Sequence, residues 1–335
     1  MMVRRLLLSL FCAAPLLAHA DLRLGPPSDR MDYLSIDPTT RRLYIANMGE
    51  GSMLVVDLQQ EKLVAVKTDL PKITGVLAVP ELHKIYASVT GSGFGATLGK
   101  LGLGSGKGQV AIFSSDDLHE IARLPGGTFP DGIAFDPGSH KIFVSDEKGS
   151  GVIVIDGDKD QVIRTIDLGG EVGNVRFDPL TAKIYAPIQS RNELAYIDPK
   201  SLQVLMRNPL TGCEHPHGLF IAPSQAIGYV ACDGNGRLLV VDLKLGVILD
   251  QLPLGRDPDV LDADAATNRL YVAGESGYLY GFDISDPAKP VALGSERIGD
   301  NAHSVAVDPA THKLYFPIAN QDDSAVLKIL DPPSF

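Results

Sequence analysis

Asp32, Asp131, His217, Asp259 and His303 stand at one phase of a recurring segment of this chain. Carboxylates and neutral imidazoles are the donors that a divalent metal takes, and the same groups can pass protons as general acid and base. If the segment is a structural repeat, these side chains encircle one opening. Asn174 stands one place further on in its own segment. Glu147, Asp233 and Glu275 stand in a later turn of theirs, with Asp146 beside Glu147 and with Gln189 and Asn320 in the same turn of other segments. The candidate ligand-binding set is therefore Asp32, Asp131, Asn174, His217, Asp259, His303, Glu147, Asp233 and Glu275. A metal, the one cofactor the pattern accommodates, would fall to His217, His303 and Asp259, because the histidines lie two repeats apart with the acid between them. Replacing either histidine is expected to abolish binding and hardly change the melting temperature.

The elements that must position these residues are repeats. Seven sixteen-residue segments align without a gap, beginning at Asp32, Thr74, Asp131, Gly173, His217, Asp259 and His303, spaced 42, 57, 42, 44, 42 and 44 residues apart. An aromatic recurs inside each, at Tyr44, Tyr86, Phe143, Tyr185, Tyr229, Tyr271 and Tyr315. Each unit reads as four short strands with Gly, Pro and Asp turns between them. A period near 42 residues predicts one four-stranded blade, so the chain is expected to be an all-β, seven-bladed β-propeller. The last copy holds only three strands before Leu330, and Asp21–Leu24 is expected to supply the fourth and close the ring. In such a ring the start of the innermost strand and the turn between second and third strands share one mouth, the top. The turn between first and second strands lies at the bottom. His215, His217 and His303 fall at the top. His83, His140 and His312 share a bottom column with Arg41, Ala182, Ala226 and Asn268, and read as solvated turn residues, as does His119 in an outer turn. The bottom also repeats Arg42, Lys84, Lys141, Lys183, Arg269 and Lys313.

The strings LYIAN, IFVSD and LYVAG, each followed by an apolar run ending in Asp (VVD at 55–57, VID at 154–156, GFD at 281–283), resemble YVTN-type propeller repeats, and the exported YncE-like proteins in particular. The resemblance spans nearly the whole chain after residue 20. It implies an exported seven-bladed propeller and brings no catalytic motif that can be placed residue by residue, since propellers host many unrelated functions.

Residues 1–20 read as a cleaved signal peptide. Arg4 and Arg5 precede an apolar run from Leu6 to Leu17, and Ala18-His19-Ala20 offers a cleavage site. Residues 21–335 would then form a single propeller domain in the periplasm or outside the cell. Cleavage takes the net charge from -11 to -13 and leaves two cysteines, Cys213 and Cys232. An even pair in an oxidising compartment predicts a disulfide. These two sit at facing ends of an antiparallel hairpin, which brings them within bonding reach.

Between the second and third segments lie fifteen extra residues, in the Gly-rich stretch 90–108. Gly91, Gly93 and Ala96 imitate a dinucleotide fingerprint and Gly106-Lys107 a phosphate loop, but no helix follows and Gly108 stands where Ser or Thr is needed. A tolerated loop or a lid over the mouth remains. Asp156, Asp158, Asp160 and Asp167 imitate a calcium loop, yet Gln161 replaces the required Gly and strands flank it. The acidic balance argues against nucleic acid, whose phosphates need an electropositive footprint. No apolar run is long enough for a membrane span. The function expected is that of an exported binding or scaffold propeller, a monomer, that takes a small molecule, a metal or a protein partner at the top mouth. The alternative on the same residues is a metal-assisted hydrolase of lactonase type.

Overall fold

The computed structural model describes residues 21–91, 108–222 and 224–333. Seven four-stranded antiparallel sheets form the ring of a seven-bladed β-propeller. The first blade has strands Leu34–Asp37, Arg42–Asn47, Ser52–Asp57 and Lys62–Lys67, in that order from the channel outward. Its second and third strands are buried almost throughout, whereas its fourth alternates exposed and half-buried residues. This is the pattern of central strands covered on both faces and an outer strand covered on one. The seventh blade is closed as the missing strand requires: Leu22–Gly25 pairs antiparallel with Ser324–Leu330. The predicted signal peptide, 1–20, and most of the Gly-rich insertion lie outside the described residues. The insertion leaves after Lys84–Val89 and returns at Gly108–Ser114, the second and third strands of blade two.

The repeating residues are fasteners. The recurrent aromatics are wholly buried, and two of their hydroxyls reach the next blade: Tyr185 donates to the Leu243 carbonyl, and Tyr229 to the Pro287 carbonyl at 2.8 Å. The Asp ending a third strand caps the following turn, as Asp57 does by accepting the Gln59 and Gln60 amides at 2.8 Å. Asp156 does the same for Asp158 and Lys159, so the calcium-like string is a hairpin turn. The bottom histidine column has one backbone conformation: Arg41, His83, His140, Ala182, Ala226, Asn268 and His312 all have φ between 50° and 63°. Side-chain identity varies there because the column is selected for a left-handed turn. The bottom cations tie blades together, Lys84 to Asp160 at 2.8 Å and Lys313 to Glu61 at 2.8 Å.

Cys213 and Cys232 form a disulfide, with Cα atoms 5.3 Å apart. It joins the entry of the first strand of blade five, Pro216–Ala222, to the end of the second, Ile227–Cys232.

Candidate functional site

The first strands of blades two, three, five and six share an irregularity at their channel entrance. Pairing with the second strand slips between Ile73 and Val76, Pro130 and Ile133, Pro216 and Leu219, and Pro258 and Leu261. Thr74, Asp131, His217 and Asp259 lie inside these slips. A bulge of this kind ends regular pairing and re-aims a side chain. Blades approach closely here: a Cβ on Gly132 would sit 2.8 Å from the Asn174 side-chain oxygen, which accounts for glycine after Asp131.

One cavity of about 340 Å³ opens at this mouth. Seven of the expected residues line it: Asp32, Asp131, Glu147, His217, Asp233, Asp259 and Glu275. Arg30, Tyr33, Met48, Phe129, Gln189, His215 and Asp257 complete the lining. Asn174 and His303 lie behind it, with 0% and 1% of their surface exposed. Arg30, Phe129, His215 and Asp257 form a column of their own, two places before Asp32, Asp131, His217 and Asp259. The floor is Tyr33, which crosses the channel from blade one and donates its hydroxyl to Asn174 of blade four. Below it the channel changes character. Spaces of about 450 and 200 Å³ are lined largely by apolar side chains, with Arg176 and Asp262 among them.

The mouth is a set of ion pairs. Arg30 meets Glu275 at 2.8 Å and Asp32 at 3.5 Å. His217 lies 3.2 Å from Asp259 through Nε2, and 3.2 Å from the Gln189 side-chain oxygen through Nδ1. His303 Nε2 lies 3.4 Å from Asp32 while its Nδ1 faces the Asn301 carbonyl. His215 meets Asp233 at 3.3 Å, and Lys148 meets Glu147 at 2.7 Å. Burial opposes charge on His217, but Asp259, then Asp131 and Glu147, outweigh it and push the imidazole up to about 10. Burial likewise opposes charge on His303, and Asp32 and Asp259 again prevail, raising its pKa. Asp131 behaves oppositely: burial, then Asp32, Glu147 and Asp259, raise its carboxyl to about 8 against the pull of His217.

These pairings bear on the metal expectation. Among the described residues no group of three or more His, Cys, Asp and Glu is disposed to hold a metal ion. His217, His303 and Asp259 do not converge on one point: each imidazole faces its own carboxylate. The donor set as arranged does not fit a metal centre, and no metal-assisted step is derived from it.

The fold and this mouth define a class, the seven-bladed β-propellers. No family model matches the sequence, and no curated protein matches it. Solved structures do. Hydrazine synthase of Kuenenia stuttgartiensis aligns over 96% of this chain and 99% of that one, at 16% identity and a TM-score of 0.75. The RRP9 WD40 repeats align over 93% and 97%, at 9% identity and a TM-score of 0.74. A chain of the mitotic checkpoint complex aligns over 99% and 100%, at 10% identity and a TM-score of 0.73. At these identities the likeness is one of fold.

Proposed function

We propose that this chain is an exported, YVTN-type binding propeller of the YncE-like kind, which takes a small polar ligand at its top mouth. The observation that carries the reading is the cavity itself. Side chains from several blades and two different turns converge on about 340 Å³ closed beneath by Tyr33. That volume is at the lower end of ligand pockets, and its few aromatic and many polar walls suit a hydrogen-bonding molecule. The disulfide supports an oxidising compartment, and with it the export implied by residues 1–20. Among the described residues no helix is long and apolar enough to cross a membrane. The lactonase alternative has no arrangement in its favour: of its candidate ligands Asp131, Asn174, His217, Asp259 and His303, Asn174 and His303 lie behind the cavity and both imidazoles face acids.

The test is a thermal-shift screen of the protein lacking residues 1–20 against neutral, anionic and cationic small molecules, followed by calorimetry of each hit. Binding is expected to vanish in His217→Ala and to persist in the bottom-face double variant His140→Ala/His312→Ala. Loss of binding in the bottom variant with retention in the top one would reverse the assignment of faces.

A further inference from the structure

Among the acids of the mouth, Asp131 differs in its partners. Asp32 has Arg30 and His303, Asp259 has His217, Asp233 has His215, Glu147 has Lys148 and Glu275 has Arg30. The Asp131 carboxyl lines the cavity with 5% of the residue exposed. Its backbone carbonyl accepts from Ser88, but among the described residues no side chain or amide donates to its carboxyl, and no cation pairs with it. Asp257 also lacks a cation there, but it is only half-buried. A buried carboxyl without a donor is costly to ionise, so on its own it keeps its proton, and a cation that can hydrogen-bond to it takes that proton's place.

Resting on the reading of the top mouth as a ligand site, we infer that its ligand is a small organic ammonium ion, with the charged nitrogen on Asp131. The surrounding chemistry selects this class. Six acids besides Asp131, against Arg30, His215 and His217, make the cavity hostile to anions. A bare divalent ion needs several convergent donors, and these acids are spread among separate pairs. An ammonium needs one carboxylate and a few acceptors for its three N–H groups. Phe129, Tyr33 and Met48 in the same wall offer apolar and aromatic surface for the carbon skeleton and for the cation itself.

The experiment uses two matched series, benzylamine, benzyl alcohol and benzoate, and butylamine, butanol and butyrate. Each is titrated calorimetrically at about pH 8.5, where Asp131 ionises and the amines still carry charge, into the protein lacking residues 1–20, alongside calcium and zinc chloride and a lysine-containing peptide. At least one amine should bind saturably, with its alcohol and carboxylate at least about tenfold weaker. Asp131→Asn should weaken the amine by about tenfold or more, Asp131→Glu by less, and both variants should melt cooperatively. Preference for an alcohol or a carboxylate, lost in His217→Ala, would overturn the ammonium class and leave the top mouth as the site. Binding of zinc, calcium or only the peptide, or of no amine at all, would also overturn it. An amine whose binding is lost in His140→Ala/His312→Ala and kept in Asp131→Asn would overturn both this inference and the choice of face.

Discussion

At the scale of single residues, the mouth holds two groups that bind their protons more tightly on folding. Asp131 is raised to about 8 and His217 to about 10. For Asp131, the folded protein holds a proton that the unfolded chain releases near pH 4, so folding loses stability as pH rises from about 4 to 8. His217 stabilises fully below its unfolded pKa of about 6.5, and that contribution is lost as pH rises towards 10. The groups facing Asp131 are Asp32, Glu147, His217 and Asp259, with Tyr33 beneath. The melting temperature of the wild type should therefore fall between pH 6 and pH 10. In Asp131→Asn the fall should be smaller, and the variant should overtake the wild type by pH 8. An unchanged profile would show that Asp131 ionises normally. Burial also corrects the expectation for His303. Its side chain is enclosed against Asp32, so His303→Ala removes core volume and a partner, and it should lower the melting temperature as well as disturb the mouth. His217, which lines the cavity, is the better probe of binding.

At the scale of elements, the repeat columns show why part of the site was legible in sequence and part was not. Column position places a Cα on a face of the ring, and that sufficed for Asp32, Asp131, His217 and Asp259 at strand entrances and for Glu147, Asp233 and Glu275 in turns. Side-chain direction depends on the local slips in strand pairing, which periodicity does not show, so Asn174 and His303 were placed at the mouth but point behind it. Arg30, Phe129 and Asp257 escaped notice because they precede the sixteen-residue segment. Their signal is still present in the chain: each stands two places before a column residue. Tyr33 was missed because its column is otherwise small, with Gly75, Gly132 and Gly218 as the neighbours' equivalents. The disulfide was legible because Cys213 and Cys232 fall at facing ends of one hairpin, while the third cysteine, Cys12, stands in the segment read as a signal peptide. It closes a loop with a sequence separation of 19 residues, so opening it should cost roughly 3 kcal/mol. Reduction, or paired Cys213→Ser and Cys232→Ser, should lower stability by about that amount in denaturant titration. It should also weaken ligand binding, because the bond holds the segment that presents His215 and His217. A double variant as stable as the wild type would assign the bond no structural part.

At the scale of the whole molecule, two contacts between the chain's beginning and its end stand out in ring closure. One is the strand pair Leu22–Gly25 with Ser324–Leu330. The other is the bidentate pair of Arg41 on Asp308, at 2.6 and 2.5 Å. Burial works against the Asp308 carboxylate, yet the bonds from Arg41 and Thr311 hold it down at about 2. This stabilisation is complete above about pH 4 and lost as pH falls through 2. Arg41→Ala should cost about 1.5–3 kcal/mol at pH 7, and the difference from wild type should shrink below pH 3. A difference that persisted at low pH would mean that Arg41 acts through packing alone. With Tyr33 beneath the cavity, the proposed ligand would exchange through the top. The most direct measurement is hydrogen–deuterium exchange with and without a saturating amine that binds in calorimetry. Protection is expected at 128–132, 214–218 and 256–260 around the mouth, and none in the bottom turns 38–41, 80–83 and 137–140. Protection confined to those bottom turns would contradict the account.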